Sequence, residues 1–271
     1  MEPNMNTIIK KYLKNNLKSI LLERENIYKG NLLLVNRQNP LQDVQLGRNA
    51  LMVPSDDRFP DILLRKPVSN MLKQLLKACS AGDSIVPVSG YRSLMEQQQI
   101  FMDSIKEKGE EFTLKYVALP NHSEHQTGLA IDMAQNLKVI DFICPDFPYE
   151  GICQTFRDKA SKYGFIERYQ KGKEQITGIS HEPWHFRYVG YPHSEIMKNN
   201  DFTLEEYTEY LKYFTYDDKH LKFENQEQSI EIFYVEASET ATEILVDEYE
   251  PYQISGNNMD GFVVTIWRDI L

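Results

Sequence analysis

The chain has 271 residues, of which 41% are hydrophobic, with a formal net charge of −10 at pH 7. The apolar content is enough for a core, but no run approaches the roughly 20 residues of a membrane span, and no basic stripe with interleaved aromatics marks a nucleic-acid surface. Three cysteines, Cys79, Cys144 and Cys153, are an odd count without ligand-like spacing, which excludes a disulfide scaffold and suits a reducing compartment. The charge is uneven. Residues 201–271 carry 17 acidic against 4 basic side chains, while residues 1–200 carry 23 against 26. The acidity therefore belongs to the C-terminal segment and says nothing about a site elsewhere.

In chain order, Ile9, Leu13, Leu17 and Ile20 recur at helical spacing, predicting an amphipathic helix over residues 6–29 with a solvated lysine face. Lys10, Lys11, Lys14 and Lys18 leave no continuous apolar stretch of the export-signal kind, so the expected location is cytoplasmic. Residues 31–35 read as a short strand, and residues 41–65 as an irregular loop bordering a pocket. Pro67 opens a helix whose apolar face is Leu72, Leu75, Leu76 and Cys79. A strand follows over residues 84–88, with Pro87 arguing for a sheet edge. Ser93 and Glu96 form a capping-box pattern. They place Arg92 at a strand-to-helix turn, where a cation could stabilise an oxyanion, with Gln97 one turn into the helix. Residues 110–118 read as another helix.

Two short stretches then dominate. SEHQTGLAID, residues 123–132, is a glycine-broken loop leading through an apolar run to Asp132, a carboxylate expensive to bury unless paired or bound to metal. EPWH, residues 182–185, offers His185 with Glu182 three residues before it. Two histidines and an aspartate suit a Zn²⁺ that keeps its fourth position open, and a nearby carboxylate suits proton transfer from water. His125, Asp132 and His185 are thus the candidate metal ligands and Glu182 the candidate base of a zinc hydrolase. In a regular strand Glu182 and His185 would face opposite sides; Pro183 argues for a bend or strand start that lets both face one ion.

Between and beyond these stretches, residues 140–143 and 165–169 read as strands and residues 154–163 as a helix closed by Gly164. Residues 203–214 form a helix capped by Thr203 and Glu206. Residues 230–235, 243–246 and 262–267 read as strands. The expected fold is α+β: a small antiparallel sheet carrying the zinc site, flanked by helices, with an appended C-terminal β-rich segment. The expected divisions are an N-terminal helix over 1–30, a peptidase domain over 31–199 and an acidic appendage over 200–271.

SEHQTGLAID, EPWHFRYVG (182–190) and SGYRS (89–93) together resemble the D-alanyl-D-alanine metallopeptidases of the VanY and VanXY type, a group that extends to VanX, lysostaphin-like enzymes and the hedgehog signalling domain. LLLVNRQNPL (32–41) and GFIERYQKGKEQITGI (164–179) extend the resemblance; Gln170 departs from it, where the family more often has proline. The resemblance implies one Zn²⁺ on His125, Asp132 and His185, Glu182 as base, Arg92 facing the scissile carbonyl, and Gln97 and Ser123 holding substrate. It also implies peptidoglycan precursor peptides ending in D-Ala-D-Ala as partners. Ser89 stands where the VanX branch has an acid suited to a dipeptide's ammonium, so the sequence leans towards a carboxypeptidase. Two other readings are a zinc-stabilised binding module without turnover, and an L,D-carboxypeptidase or cell-wall hydrolase.

Overall fold

The computed structural model describes residues 17–42, 51–225 and 228–269. The chain forms two compact units, residues 34–209 and residues 17–33 with 210–269. The division differs from the expected 31–199 domain, because the segment after residue 199 continues into the first unit as far as the helix Leu204–Leu211. That helix starts with the expected capping box: Glu206 N donates to Thr203 Oγ1 and Thr203 N to Glu206 Oε2.

The strands in chain order are β1 (Leu17–Glu23), β2 (Met52–Asp56), β3 (Phe59–Arg65), β4 (Ile85–Ser89), β5 (Ala130–Gln135) and β6 (Phe165–Tyr169). They continue with β7 (Glu182–Tyr188), β8 (Leu221–Glu224), β9 (Gln228–Glu236), β10 (Ala241–Asp247), β11 (Tyr252–Gly256) and β12 (Gly261–Asp269). Among the described residues, no helix is long and apolar enough to cross a membrane.

The larger unit is built on an antiparallel sheet of order β4-β5-β7-β6. Side chains alternate across a strand, and here the alternation separates core from chemistry. Leu129, Ile131 and Met133, with Trp184 and Phe186, join the apolar cluster. Asp132, His185 and Arg187 alternate with them on β5 and β7 and are buried on the other face. Helix Lys66–Ala78 supplies Leu72, Leu75 and Leu76 to the cluster, and helix Gly151–Ala160 supplies Cys153 and Phe156. Pro67 lies in the first turn, where its missing N–H is harmless. β4 is an edge strand, as Pro87 requires.

Four expectations are corrected, three of them here. The predicted loop 41–65 holds a hairpin of β2 and β3 between Met52 and Arg65; residues 43–50 lie outside the described residues. Pro54 and Pro60 mask its alternation, and the turn is closed by Arg58 N donating to Asp56 Oδ1 at 2.9 Å. Residues 140–143 do not form a strand. The amides of Ile143 and Cys144 donate to Asp141 Oδ1 instead, a local alternative to sheet pairing. Residues 31–35 join no strand, although Leu32, Leu33, Leu34 and Val35 are buried.

In the smaller unit, β1 pairs antiparallel with β10, and a four-stranded sheet runs β11-β12-β9-β8. The predicted N-terminal helix is corrected over residues 17–29: Leu17–Glu23 is a strand and Arg24–Tyr28 a 3₁₀ turn, while residues 6–16 lie outside the described residues. Leu22 is buried, Ile20 half-buried and Leu21 exposed, a period of two. Pairing with residues 241–247 prevails over the helical spacing of Leu17 and Ile20, because it satisfies the strand's backbone and buries Leu22 against Ile244 and Val246.

Candidate metal centre

Three elements bring the ligands together. The 3₁₀ turn Glu124–Thr127 carries His125 and ends at Gly128, whose φ is +67°. That left-handed backbone is what requires glycine here, since the nearest atoms a Cβ would meet belong to the flexible end of the Met52 side chain. The chain then enters β5, where Asp132 stands opposite His185 of β7 in register. One ligand atom from each of His125, Asp132 and His185 lies within 4.8 Å of the others, and all three residues are buried.

The donor atoms are sorted by what lies behind them. His125 Nδ1 lies 2.7 Å from the carbonyl of Gly90, which can only accept, so Nδ1 carries the hydrogen and Nε2 presents a lone pair. That Nε2 is 3.1 Å from Asp132 Oδ2. His185 Nδ1 lies 2.9 Å from Asp132 Oδ1, and its Nε2 lies 3.4 Å from Glu124 Oε2. Ligands about 2.0–2.1 Å from one tetrahedral ion are about 3.3 Å apart, so the triad fits one zinc. His125 Nε2, His185 Nδ1 and an Asp132 oxygen would hold it.

Glu182 Oε2 is 3.8 Å from His185 Nδ1. Two irregularities let residues three apart on β7 share this side. The β6–β7 register shifts between Glu167 and Tyr169, and Arg157 Nη2 donates to the carbonyl of Pro183 at 3.0 Å, anchoring the start of the strand. Arg92 Nη2 lies 3.1 Å from Asp132 Oδ2, its Nε donates to Ser89 Oγ at 2.8 Å, and its guanidinium sits over Phe142. The Ser93–Glu96 capping box is formed and fixes this turn.

A small cavity opens over the triad, lined among others by Arg92, Ser123, Ile143, Tyr169, Glu182 and Trp184. The structure therefore brings six of the seven candidate residues to one cavity. Gln97 stands behind it: fully buried, its Nε2 donates to the carbonyl of Ala118 at 2.8 Å and its Oε1 lies 3.5 Å from Arg92 Nη1. Ser89 is not among the lining residues, and its hydroxyl is taken by Arg92.

One charged residue of the site was not singled out in the sequence. Glu124 is buried against Arg168 Nε at 2.8 Å and Arg187 Nη1 at 2.7 Å. The signal available was an acid directly before a ligand, but its partners lie 44 and 63 residues away. The remaining histidines have other tasks: His122 meets Asn36 O, His181 meets Tyr149, His193 meets Tyr207 and His220 meets Glu231.

The electrostatics follow from burial and partners. Burial works against the carboxylates of Asp132 and Glu124. Two imidazoles outweigh it at Asp132 and two arginines at Glu124, holding both well below the usual carboxylate range. Burial, with Arg92 nearby, pushes His125 down. His185 goes the other way: hydrogen bonds to Asp132 and Glu124 overcome burial and push it up to about 9. Burial pushes the Glu182 carboxyl up to about 8, with Asp132 and Glu124 adding to the push and His185 and Arg92 opposing it.

Comparison with known proteins places this geometry among D-Ala-D-Ala peptidases. Residues 61–191 match the VanY family, described as D-alanyl-D-alanine carboxypeptidase. The bifunctional D-Ala-D-Ala dipeptidase and carboxypeptidase VanXYC of Enterococcus gallinarum is 41% identical over 181 residues, 66% of this chain and 94% of that protein. The crystal structure of the vancomycin-resistance D,D-dipeptidase VanXYg, in complex with a D-Ala-D-Ala phosphinate analogue, superposes with a TM-score of 0.90 at 59% identity. It covers 93% of this chain and 99% of that one. A variant of the D,D-pentapeptidase VanY in complex with Zn(II) is 29% identical over 66% of this chain and 98% of its own, with a TM-score of 0.52.

Metal binding is expected to release protons. Without the ion His185 carries a proton at pH 7 that the ligand role requires it to lose, and the Glu182 proton is expelled by an approaching cation. Zinc affinity should therefore rise with pH up to about 9, with about one to two protons released per ion at neutral pH. Calorimetry in buffers of different ionisation heats measures this. Affinity and heat independent of pH and buffer contradict the assignment.

Proposed function

We propose, because this chain belongs to the VanY family of D-alanyl-D-alanine carboxypeptidases, that it is a zinc D,D-peptidase. It hydrolyses D-Ala-D-Ala both as the free dipeptide and at the terminus of peptidoglycan precursor peptides. The observation that carries this reading is the buried triad of His125, Asp132 and His185 with Glu182 beside it in one cavity. A zinc ion held by the triad supplies a Lewis acid for the scissile carbonyl and lowers the pKa of water. The complete set of ligands, Glu182 and Arg92 favours turnover over a binding module.

The chain's own groups divide the remaining work. Glu182 takes the proton of the attacking water and returns it to the leaving amine. Burial raises its proton affinity in the metal-free site, and a cation on the triad would offset that and leave the carboxylate able to accept a proton. Arg92, held by Ser89 and Gln97, stabilises the negative charge that develops on the carbonyl oxygen. Ser123, in the cavity wall, contacts the substrate, while Gln97 acts through Arg92. The working compartment is the cytoplasm, a reading supported by Cys79, Cys144 and Cys153 all being free thiols. VanXYg is a vancomycin-resistance enzyme, and the same role is proposed here.

Beside the leaning towards longer peptides drawn from the missing acid at position 89, Ser89 has a second role: its hydroxyl accepts from Arg92 Nε, and it is not among the residues lining the cavity over the triad. Dual activity is also what the VanXYC relative has.

Two variants test the reading. Glu182→Gln should keep zinc and lose about 10²–10⁴-fold in kcat on both substrates; near wild-type turnover would remove Glu182 from the mechanism. Ser89→Asp should pull Arg92 into a tighter ion pair and lower kcat/KM for the dipeptide and the pentapeptide in the same proportion. A gain on the dipeptide with a loss on the pentapeptide would show that position 89 selects substrate.

A further inference from the structure

Beneath the metal ligands lies a second layer of charge that the hydrolytic mechanism does not use. Glu124, Arg168 and Arg187 have no exposed side-chain surface. Glu124 Oε1 accepts from both arginines, while its Oε2 faces His185 Nε2. Arg168 forms a two-bonded pair with Glu205, Nη1 to Oε2 at 2.9 Å and Nη2 to Oε1 at 2.7 Å. Glu205 also accepts from Asn36 Nδ2 at 3.2 Å. Two carboxylates and two guanidiniums thus balance in the interior, and they reach from His185 to the first turn of helix Leu204–Leu211.

The geometry specifies the direction in which this layer acts. A carboxylate held by two arginines can only accept, so the His185 nitrogen facing it must donate. That fixes a hydrogen on Nε2, so the proton an ion displaces is the one on Nδ1, which leaves Nδ1 as the donor atom beside Asp132. Gly90 performs the same service for His125 from the opposite side, leaving Nε2 as the donor atom there. The β6–β7 register shift between Glu167 and Tyr169 sets Arg168 against the extra residues of β7 between Glu182 and Phe186, His185 among them, and such bulges re-aim side chains.

We propose that Glu124 is a positioning residue for the metal centre. It sets the tautomer and ring orientation of His185, and Arg168, Arg187 and Glu205 hold it in place. The proposal rests on the zinc reading above but assigns a new role to the chain's own residues. Partners of this kind behind metal-bound histidines typically change affinity by about 10–100-fold when removed.

The test measures zinc affinity by chelator competition in wild type, Glu124→Gln and Glu206→Gln, together with thermal melting. Glu206 sits on the same helix turn, pairs with Lys173 at 3.1 Å and closes the Thr203 cap, but does not touch the quartet. Glu124→Gln should weaken zinc by about 10–100-fold, whereas Glu206→Gln should lower the melting temperature and leave zinc affinity unchanged. Equal affinity in Glu124→Gln and wild type overturns the proposal, as does an equal loss in Glu206→Gln, which would mark a general effect of destabilisation. Wild type that binds no zinc overturns the zinc reading instead. If Glu124→Gln does not fold, ¹⁵N resonances of the zinc-loaded wild type decide. His185 protonated at Nε2 and metal-bound at Nδ1, with the reverse at His125, supports the proposal, and His185 bound through Nε2 overturns it.

Discussion

Burying a carboxylate in the middle of a sheet is tolerable only if its charge is compensated, since the desolvation penalty amounts to several kcal/mol per ion. Asp132 meets this constraint from three sides, through His125, His185 and Arg92 at 2.9–3.1 Å. Each of those partners needs support of its own. His125 leans on Gly90, His185 on Glu124, and Arg92 on Ser89 and Gln97. The polar face of β5 and β7 is therefore a connected set in which each group limits where the next can sit. The apolar face of the same strands supplies the burial that holds the set rigid.

That rigidity has a chemical use. Hydrolysis at this site needs a base, and Glu182, the residue proposed for that role, is held by the fold in a buried position near other carboxylates. Its placement depends on a local break in strand geometry. Without the register shift of β6 against β7 and the Arg157 anchor on Pro183, period-two alternation would turn Glu182 away from His185. The sequence pattern E-P-x-H encodes that break through proline, and the guanidinium 26 residues away completes it.

Local chemistry was readable from the sequence, and distant pairing was not. The two halves of the triad, the Arg92 turn and both capping boxes depend on spacings of ten residues or fewer, or on one glycine or proline, and these are legible from the residues themselves; that His185 joins Asp132 from 53 residues away is not a local signal, and only the chemistry of the two stretches taken together suggests it. β1 reads as helix because Leu17 and Ile20 fit helical spacing while its partner lies more than 200 residues away: Leu22 pairs with Thr242. The hairpin of β2 and β3 was hidden by Pro54 and Pro60. Glu124 was passed over although it adjoins His125, because nothing near it in sequence shows that Arg168 and Arg187 arrive from two other strands. For Gln97 the resemblance implies a role in holding substrate, and only the fold reveals the carbonyl of Ala118 and the guanidinium it faces.

The central claim is that two histidines and one aspartate converge on a single ion. The zinc K-edge X-ray absorption spectrum of the metal-loaded protein measures this directly. The account predicts one ion per chain with a nitrogen and oxygen shell at about 2.0–2.1 Å and the outer-shell scattering of two imidazoles. A sulfur shell at about 2.3 Å, or scattering from fewer than two imidazoles, would contradict it.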